Sequence, residues 1–205
     1  YLKPLKLGFD LSFTSSTKYY SGHSDAMGGS LAVNKKVFNK VMFFYKLSGY
    51  RMSADEAYLI IRGLRTLDVR LKKHYENTKI VINFLRKQKK IKEILYPYKP
   101  SSKSYKLWKK YYSGANGLFS IVVKSKKRSS VIKFVNSLEL FGIGYSWGGF
   151  ESLVLLQDLR TNTKYTQTRR FLRFAKDEHI VRLHIGLEDP KDLIIDLKRS
   201  LKHIK

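Results

Sequence analysis

The stretch SSTKYYSGHSDAMGG, running from Ser15 to Gly29, sets one lysine, Lys18, behind three hydroxyl residues and ahead of a run of Gly, His, Ser and Asp. A lysine so placed has the parts for Schiff-base chemistry. To attack a carbonyl, its amine must be partly neutral, a state that burial and nearby positive charge favour. The hydroxyls of Ser15 and Thr17 can donate hydrogen bonds to a phosphate. An aldehyde that carries a phosphate, such as pyridoxal 5'-phosphate, would use both halves of the pattern. The same residues also read as one more surface lysine beside a turn, in a chain with 41 Lys and Arg.

Other reactive residue types are less well spaced. His23, Ser24 and Asp25 have the types of a hydrolase triad but lie too close in sequence to form one easily. His179 and His184 are five apart on a strand-like segment, so they point to opposite faces and make no metal pair. The glycines of GIGYSWGGF do not sit between a strand and a helix as a dinucleotide-binding loop requires. No metal site is expected.

The elements that must position Lys18 can be read from periodicity. Phe9, Leu11 and Phe13 alternate along LGFDLSFTSSTKYY, the mark of a strand that ends in polar residues. GGSLAVN reads as a second short strand. NKKVFNKVMFFYKLSG reads as a helix closed by Gly49. Ser53 and Glu56 form a capping-box pair that opens another helix. That helix is expected to run as far as Gln88, with a weak point at Gly63. Leu67, Leu71, Thr78, Val81, Ile82 and Leu85 fit one helical stripe, which core packing explains. LYPYKPSSKSYKLWKKYYSGANG, with two prolines and two glycines, reads as a connector. Strand LFSIVVKS, helix SVIKFVNSLELF, strands SLVLLQ and HIVRLHIG, and a last helix follow. Asp189 and Pro190 cap the last helix, and Leu193, Leu197 and Leu201 mark its buried face. Alternation of this kind means an α/β or α+β fold. A boundary near Gly63 to Thr66 divides the chain into residues 1–65 and 66–205, and the first piece begins in mid-sheet.

Bulk composition narrows the class. The 205 residues are 43% hydrophobic, enough for a packed core, and contain no cysteine, which excludes disulfides and thiolate chemistry. No apolar run reaches the ~18 residues of a membrane helix, and the cytoplasm is the compartment expected. The formal net charge of +25 suggests nucleic acid. However, the Lys and Arg are scattered, with no zinc-finger spacing, RNP-like strand or basic heptad region. A lysine-rich solvated surface accounts for them, and no specific nucleic-acid partner is expected.

SSTKYYSGHSD closely resembles the cofactor-lysine motif of the pyridoxal-phosphate enzymes of cysteine and methionine metabolism, the family of the cystathionine synthases and lyases and methionine lyase. RGLRTLDVRLKKHYEN, YSWGGFESL and VRLHIGLEDPKDLIIDL agree in the same order, and GLFSIVVK and KLWKKYYSGANGLF point the same way. Trp147 makes the chain look most like the bacterial cystathionine β-lyase branch. The resemblance implies that Lys18 carries pyridoxal 5'-phosphate and moves the substrate's proton. It implies that Thr17 and Ser15 bind the phosphate and that Arg182 grips the substrate α-carboxylate, a task its planar fork suits. Ser146 and Trp147 would line the substrate site near that carboxylate. Tyr45 would match an active-site tyrosine, although the loop after it looks one residue longer than the family pattern. Trp147 as plain core, or Arg182 in a structural ion pair, are the competing readings.

The resemblance also implies a fold: the later half of a fold-type I pyridoxal-phosphate-dependent transferase. Residues 1–65 would end the large cofactor domain and residues 66–205 would form an α/β C-terminal domain. Only seventeen residues precede Lys18. The family's phosphate loop, ring-stacking aromatic and ring-nitrogen aspartate are expected upstream of them. The implied activity is α,β-elimination of cystathionine in methionine biosynthesis, with little expected of these residues alone. The implied assembly is a homo-oligomer, a tetramer in the family, or a pairing with a separately encoded first half. A non-catalytic remnant or subunit fragment is the alternative.

Overall fold

The structure, a computed structural model, describes residues 1–98, 100, 102–157 and 174–205. The chain opens with a hairpin of β1 (Leu11–Ser15) and β2 (Gly29–Val33), antiparallel, with Ser15 opposite Gly29. Helix α1 (Lys35–Ser48) follows, with the Asn34 side chain accepting from the Val37 N–H and Gly49 closing it at φ 67°. Ser53 accepts from the Glu56 N–H and its hydroxyl donates to the Glu56 carboxylate, as the capping pair requires, and α2 (Ala54–Leu64) begins there. The long expected helix breaks one residue past Gly63, and α3 (Leu67–Leu85) continues after Thr66.

Three features depart from the sequence expectation. Helix α3 stops at Leu85, and IKEIL forms a strand, β3 (Ile91–Leu95). The Lys and Glu within this edge strand hide its alternation. The connector holds a short helix, α4 (Tyr105–Tyr111), between its prolines and its glycines. Beyond β4 (Leu118–Lys124) and α5 (Arg128–Asn136), a two-residue strand, β5 (Gly142–Ile143), precedes β6 (Leu153–Gln157). Strand β7 (Glu178–His184) and α6 (Pro190–Ser200), capped by Asp189, end the fold as expected.

Five strands form one sheet in the order β3-β4-β7-β6-β5, antiparallel except for the β5–β6 pair. Phe119, Ile121 and Val123 on β4, with Val181 and Leu183 on β7, share one face. Helices α3, α5 and α6 close over that face with Val81, Leu85, Phe134, Leu193 and Leu197. Each such buried side chain contributes on the order of 1.5–3 kcal/mol relative to exposure. Period-two alternation turns Arg182 and His184 to the opposite face. The hairpin and α1 bury no apolar side chain: Phe13 is 74% exposed, Phe43 70% and Leu47 74%. Among the described residues no helix is long and apolar enough to cross a membrane.

Candidate active site

Lys18 stands where β1 leaves its hairpin. The loop closes on Gly28: its carbonyl accepts from the Ser16 N–H (2.8 Å), and its own N–H donates to Thr17 Oγ1 (2.9 Å). Past Lys18 the chain coils, with the Gly22 N–H donating to the Lys18 carbonyl (2.9 Å). Buried Arg70 on α3 ties this coil to the helices. It donates to the Tyr19 carbonyl (2.9 Å), the Gly63 carbonyl (2.7 Å) and Thr66 Oγ1 (3.0 Å). Gly63 makes the approach possible, because a Cβ there would collide with the carbonyl oxygens of Tyr20 and Ser21.

The second part of the site is the loop 144–152 between β5 and β6. Lys18 Nζ donates to Ser146 Oγ at 2.9 Å. The Trp147 ring centroid lies 4.6 Å from Lys18 Nζ and 5.7 Å from Arg182 Cζ, so one indole serves two cations. Arg182 Nη2 donates to the Gly144 carbonyl (3.2 Å), and Arg182 has no carboxylate partner among the described residues. Burial pulls its guanidinium below the ordinary value. Gly148 holds φ 87°, and a Cβ on it would lie 2.7 Å from the Tyr19 nitrogen. Ser24 Oγ donates to the Glu151 carboxylate (2.6 Å), a second bond between the two loops.

Beneath the two loops lies a buried cluster of Tyr19, His74 and His184, with ring centroids 5.2–6.0 Å apart. His74 Nδ1 donates to the Ile185 carbonyl (2.7 Å). The Gly148 N–H approaches His184 Nε2 at 3.0 Å, and the Gly149 carbonyl oxygen lies 3.3 Å from the same nitrogen. Burial, reinforced by His74, holds His184 down to about 3. Burial also lowers His74 and raises the Tyr19 phenol well above its usual value. The cluster is therefore neutral at ordinary pH and acts as packing that locks the loops together.

Lys18, Ser15 and Trp147 line a cavity of about 500 Å³, walled by Tyr98, Tyr112 and Asn116. Lys18 faces a neutral hydroxyl and, among the described residues, makes no ion pair. Ser16 Oγ is buried without a partner. A free amine, a facing hydroxyl and an aromatic-walled cavity fit pyridoxal 5'-phosphate. Of the residues singled out in the sequence, Lys18, Ser146, Trp147 and Arg182 come together, and Lys18, Trp147 and Ser15 share the cavity wall. Thr17 instead turns its hydroxyl to Gly28, donating to that carbonyl over 3.3 Å. Tyr45 lies on α1, 41% exposed, its ring centroid 5.9 Å from the Arg51 guanidinium, outside this cavity. Sequence reasoning passed over Arg70, His74 and Asn77. Their signal was available, since all three fall on the apolar stripe of α3 at helical spacing.

The family described as Cys/Met metabolism PLP-dependent enzyme matches residues 1–202. A cystathionine beta-lyase of Bordetella avium is 38% identical over 200 residues, 97% of this chain and 49% of that protein. An L-alanine/L-glutamate racemase of Wolbachia pipientis wMel is 37% identical over 203 residues, 98% of this chain and 49% of that one. Among solved structures, cystathionine gamma synthase from Xanthomonas oryzae pv. oryzae superposes with a TM-score of 0.88 at 30% identity, over 98% of this chain and 52% of that chain. The chain spans about half the length of the curated relatives it matches. With a family match over residues 1–202, and a lysine and a guanidinium gathered at one indole, the chain belongs to the Cys/Met metabolism PLP-dependent enzymes.

Proposed function

We propose that the chain provides the lysine side of a cystathionine β-lyase, in which cystathionine and water yield homocysteine, pyruvate and ammonia. The observation that carries this reading is Lys18 Nζ on Ser146 Oγ, 2.9 Å away, beside an indole shared with Arg182. Pyridoxal 5'-phosphate, when bound, supplies a ring that draws electrons from the substrate α-carbon. Lys18 would hold that cofactor through its amine and would take the α-proton of the substrate. Ser146 keeps that amine at the cavity. Arg182 spends one nitrogen on the Gly144 carbonyl and leaves the rest of its fork for the substrate α-carboxylate. Trp147 shields both cations from water. Ser15 offers its hydroxyl to the phosphate. Thr17 joins it by exchanging its long bond to Gly28 for a charge-assisted one, roughly twice as strong. Tyr45 enters this reading only through an assembled enzyme that brings α1 to the cavity.

The main core draws only on residues from Val81 onward, which supports a division of the chain at residues 65 and 66. A second reading, a subunit that works only when paired with further copies or with another chain, rests on the exposed apolar side chains of the hairpin and α1. Borohydride reduction in the presence of pyridoxal 5'-phosphate, followed by peptide mapping, tests the assignment. The pyridoxyl group is expected on Lys18, and a label on another lysine refutes it. Incubation with cystathionine then separates the chemistries. Pyruvate marks β-elimination, 2-oxobutyrate marks cleavage at the γ-carbon, and D-alanine formed from L-alanine marks a racemase.

A further inference from the structure

A second hollow lies away from Lys18, between α3 and the turn that follows β3. It encloses about 340 Å³ and is lined by Tyr75, Lys79, Ile82, Arg86, Tyr96 and Tyr98. Small-molecule sites begin at about 300 Å³ and combine aromatic walls with a few placed polar groups. The spacing 75, 79, 82, 86 puts one tyrosine, one apolar floor residue and Lys79 along a single face of α3, with Arg86 at its C-cap in line with them. Lys79 Nζ sits 4.6 Å from the Tyr75 ring centroid, and neither Lys79 nor Arg86 makes an ion pair among the described residues. Among the described residues no carboxylate lines the hollow.

The aromatic wall is fixed before any ligand arrives. The Tyr96 hydroxyl donates to the Asn116 carbonyl (2.7 Å), the Tyr96 and Tyr98 centroids are 4.8 Å apart, and Tyr98 meets Trp108 at 5.4 Å. Immobile π-faces below and two cations at the rim select a flat ring bearing negative charge. Neither a neutral ring nor a bare anion would use both. We propose that this hollow is a second small-molecule site, for a planar ring carrying an anionic group. Tyr98 also lines the Lys18 cavity, so the two sites share one wall.

Calorimetric titration with adenosine monophosphate tests the site. One molecule per chain is expected, with adenosine and inorganic phosphate each at least tenfold weaker. The double variant Lys79→Gln/Arg86→Gln, whose changes fall on exposed side chains, should weaken binding at least tenfold. Lys18→Ala should leave it within twofold, whatever becomes of the Lys18 assignment. Three results would overturn the proposal. These are adenosine monophosphate binding no tighter than phosphate, as general attraction to a basic surface predicts; equal binding by the double variant; or loss in Lys18→Ala instead.

Discussion

On the proposed reading, Arg182 meets the substrate α-carboxylate by shape. Its Nη2 is spent on a carbonyl and the remainder of the fork is unpaired among the described residues. Arg182→Lys replaces a bidentate donor with a point charge and forfeits about 1–3 kcal/mol of charge-assisted bonding. Amino-acid affinity, read from the perturbed absorbance of the bound cofactor, should fall roughly five- to 150-fold. Cofactor uptake should change less than twofold, and a collapse of uptake would make Arg182 a fold residue. The histidine pair gives a second prediction. His184 is held near 3 in the fold against an ordinary 6.5, so its contribution is complete above pH 6.5 and is lost as pH falls toward 3. His74 is lowered too and acts in the same direction. Each costs up to about 1.4 kcal/mol per pH unit within that window. Urea denaturation at pH 7 and pH 5.5 should show the loss, and His184→Asn should flatten it; an unchanged slope would clear His184. Lys18, Ser146, Trp147 and Arg182 were legible as motif residues. The histidine contact was not, because it joins positions 110 residues apart.

At the scale of elements, Gly63 shows what periodicity reveals and hides. The sequence marks it as a weak point in a helix, and the break does fall beside it. Its tighter constraint comes from the lysine loop, whose carbonyls occupy the space of a Cβ. Alanine would gain about 0.8–1.0 kcal/mol in helix propensity, whereas overpacking costs about 1–3 kcal/mol. Gly63→Ala should therefore lower stability by about 1 kcal/mol net and, by displacing Lys18, weaken cofactor uptake. Gly49→Ala is the control. Its φ of 67° makes it strained, but nothing lies within 4 Å, so stability should drop while uptake holds. Equal uptake by both variants would mean that the loop tolerates the shift. Strands with clean alternation, β4 and β7, were legible. β3 was not, since its edge position permits Lys and Glu, and α4 was masked by the prolines and glycines around it.

For the whole molecule, charge and apolar exposure oppose each other. The chain carries +25, yet Phe13, Phe43, Leu47 and Tyr50 are 70–80% exposed. Repulsion keeps copies apart at low ionic strength, and salt shortens its reach to about 8–10 Å near physiological strength. Association measured by light scattering should thus rise with both concentration and salt. Phe13→Glu/Phe43→Glu should suppress it. A mass that stays constant across salt would show that these side chains bury nothing between molecules. The sequence suggests a boundary near Gly63 to Thr66. It did not foretell that the buried core would be drawn almost wholly from the residues after it.

The placement of Trp147 and Trp108 has an optical consequence. The chain has two tryptophans, one between Lys18 and Arg182, the other edge-on to Tyr98. Trp147 lines the Lys18 cavity, and Trp108 stands behind the Tyr98 wall that the two cavities share. Replacing Trp108 with phenylalanine leaves an emission that responds to events at Lys18, and replacing Trp147 leaves one that responds to Tyr98. The molecule can report which of its two chambers a ligand has entered without any added label.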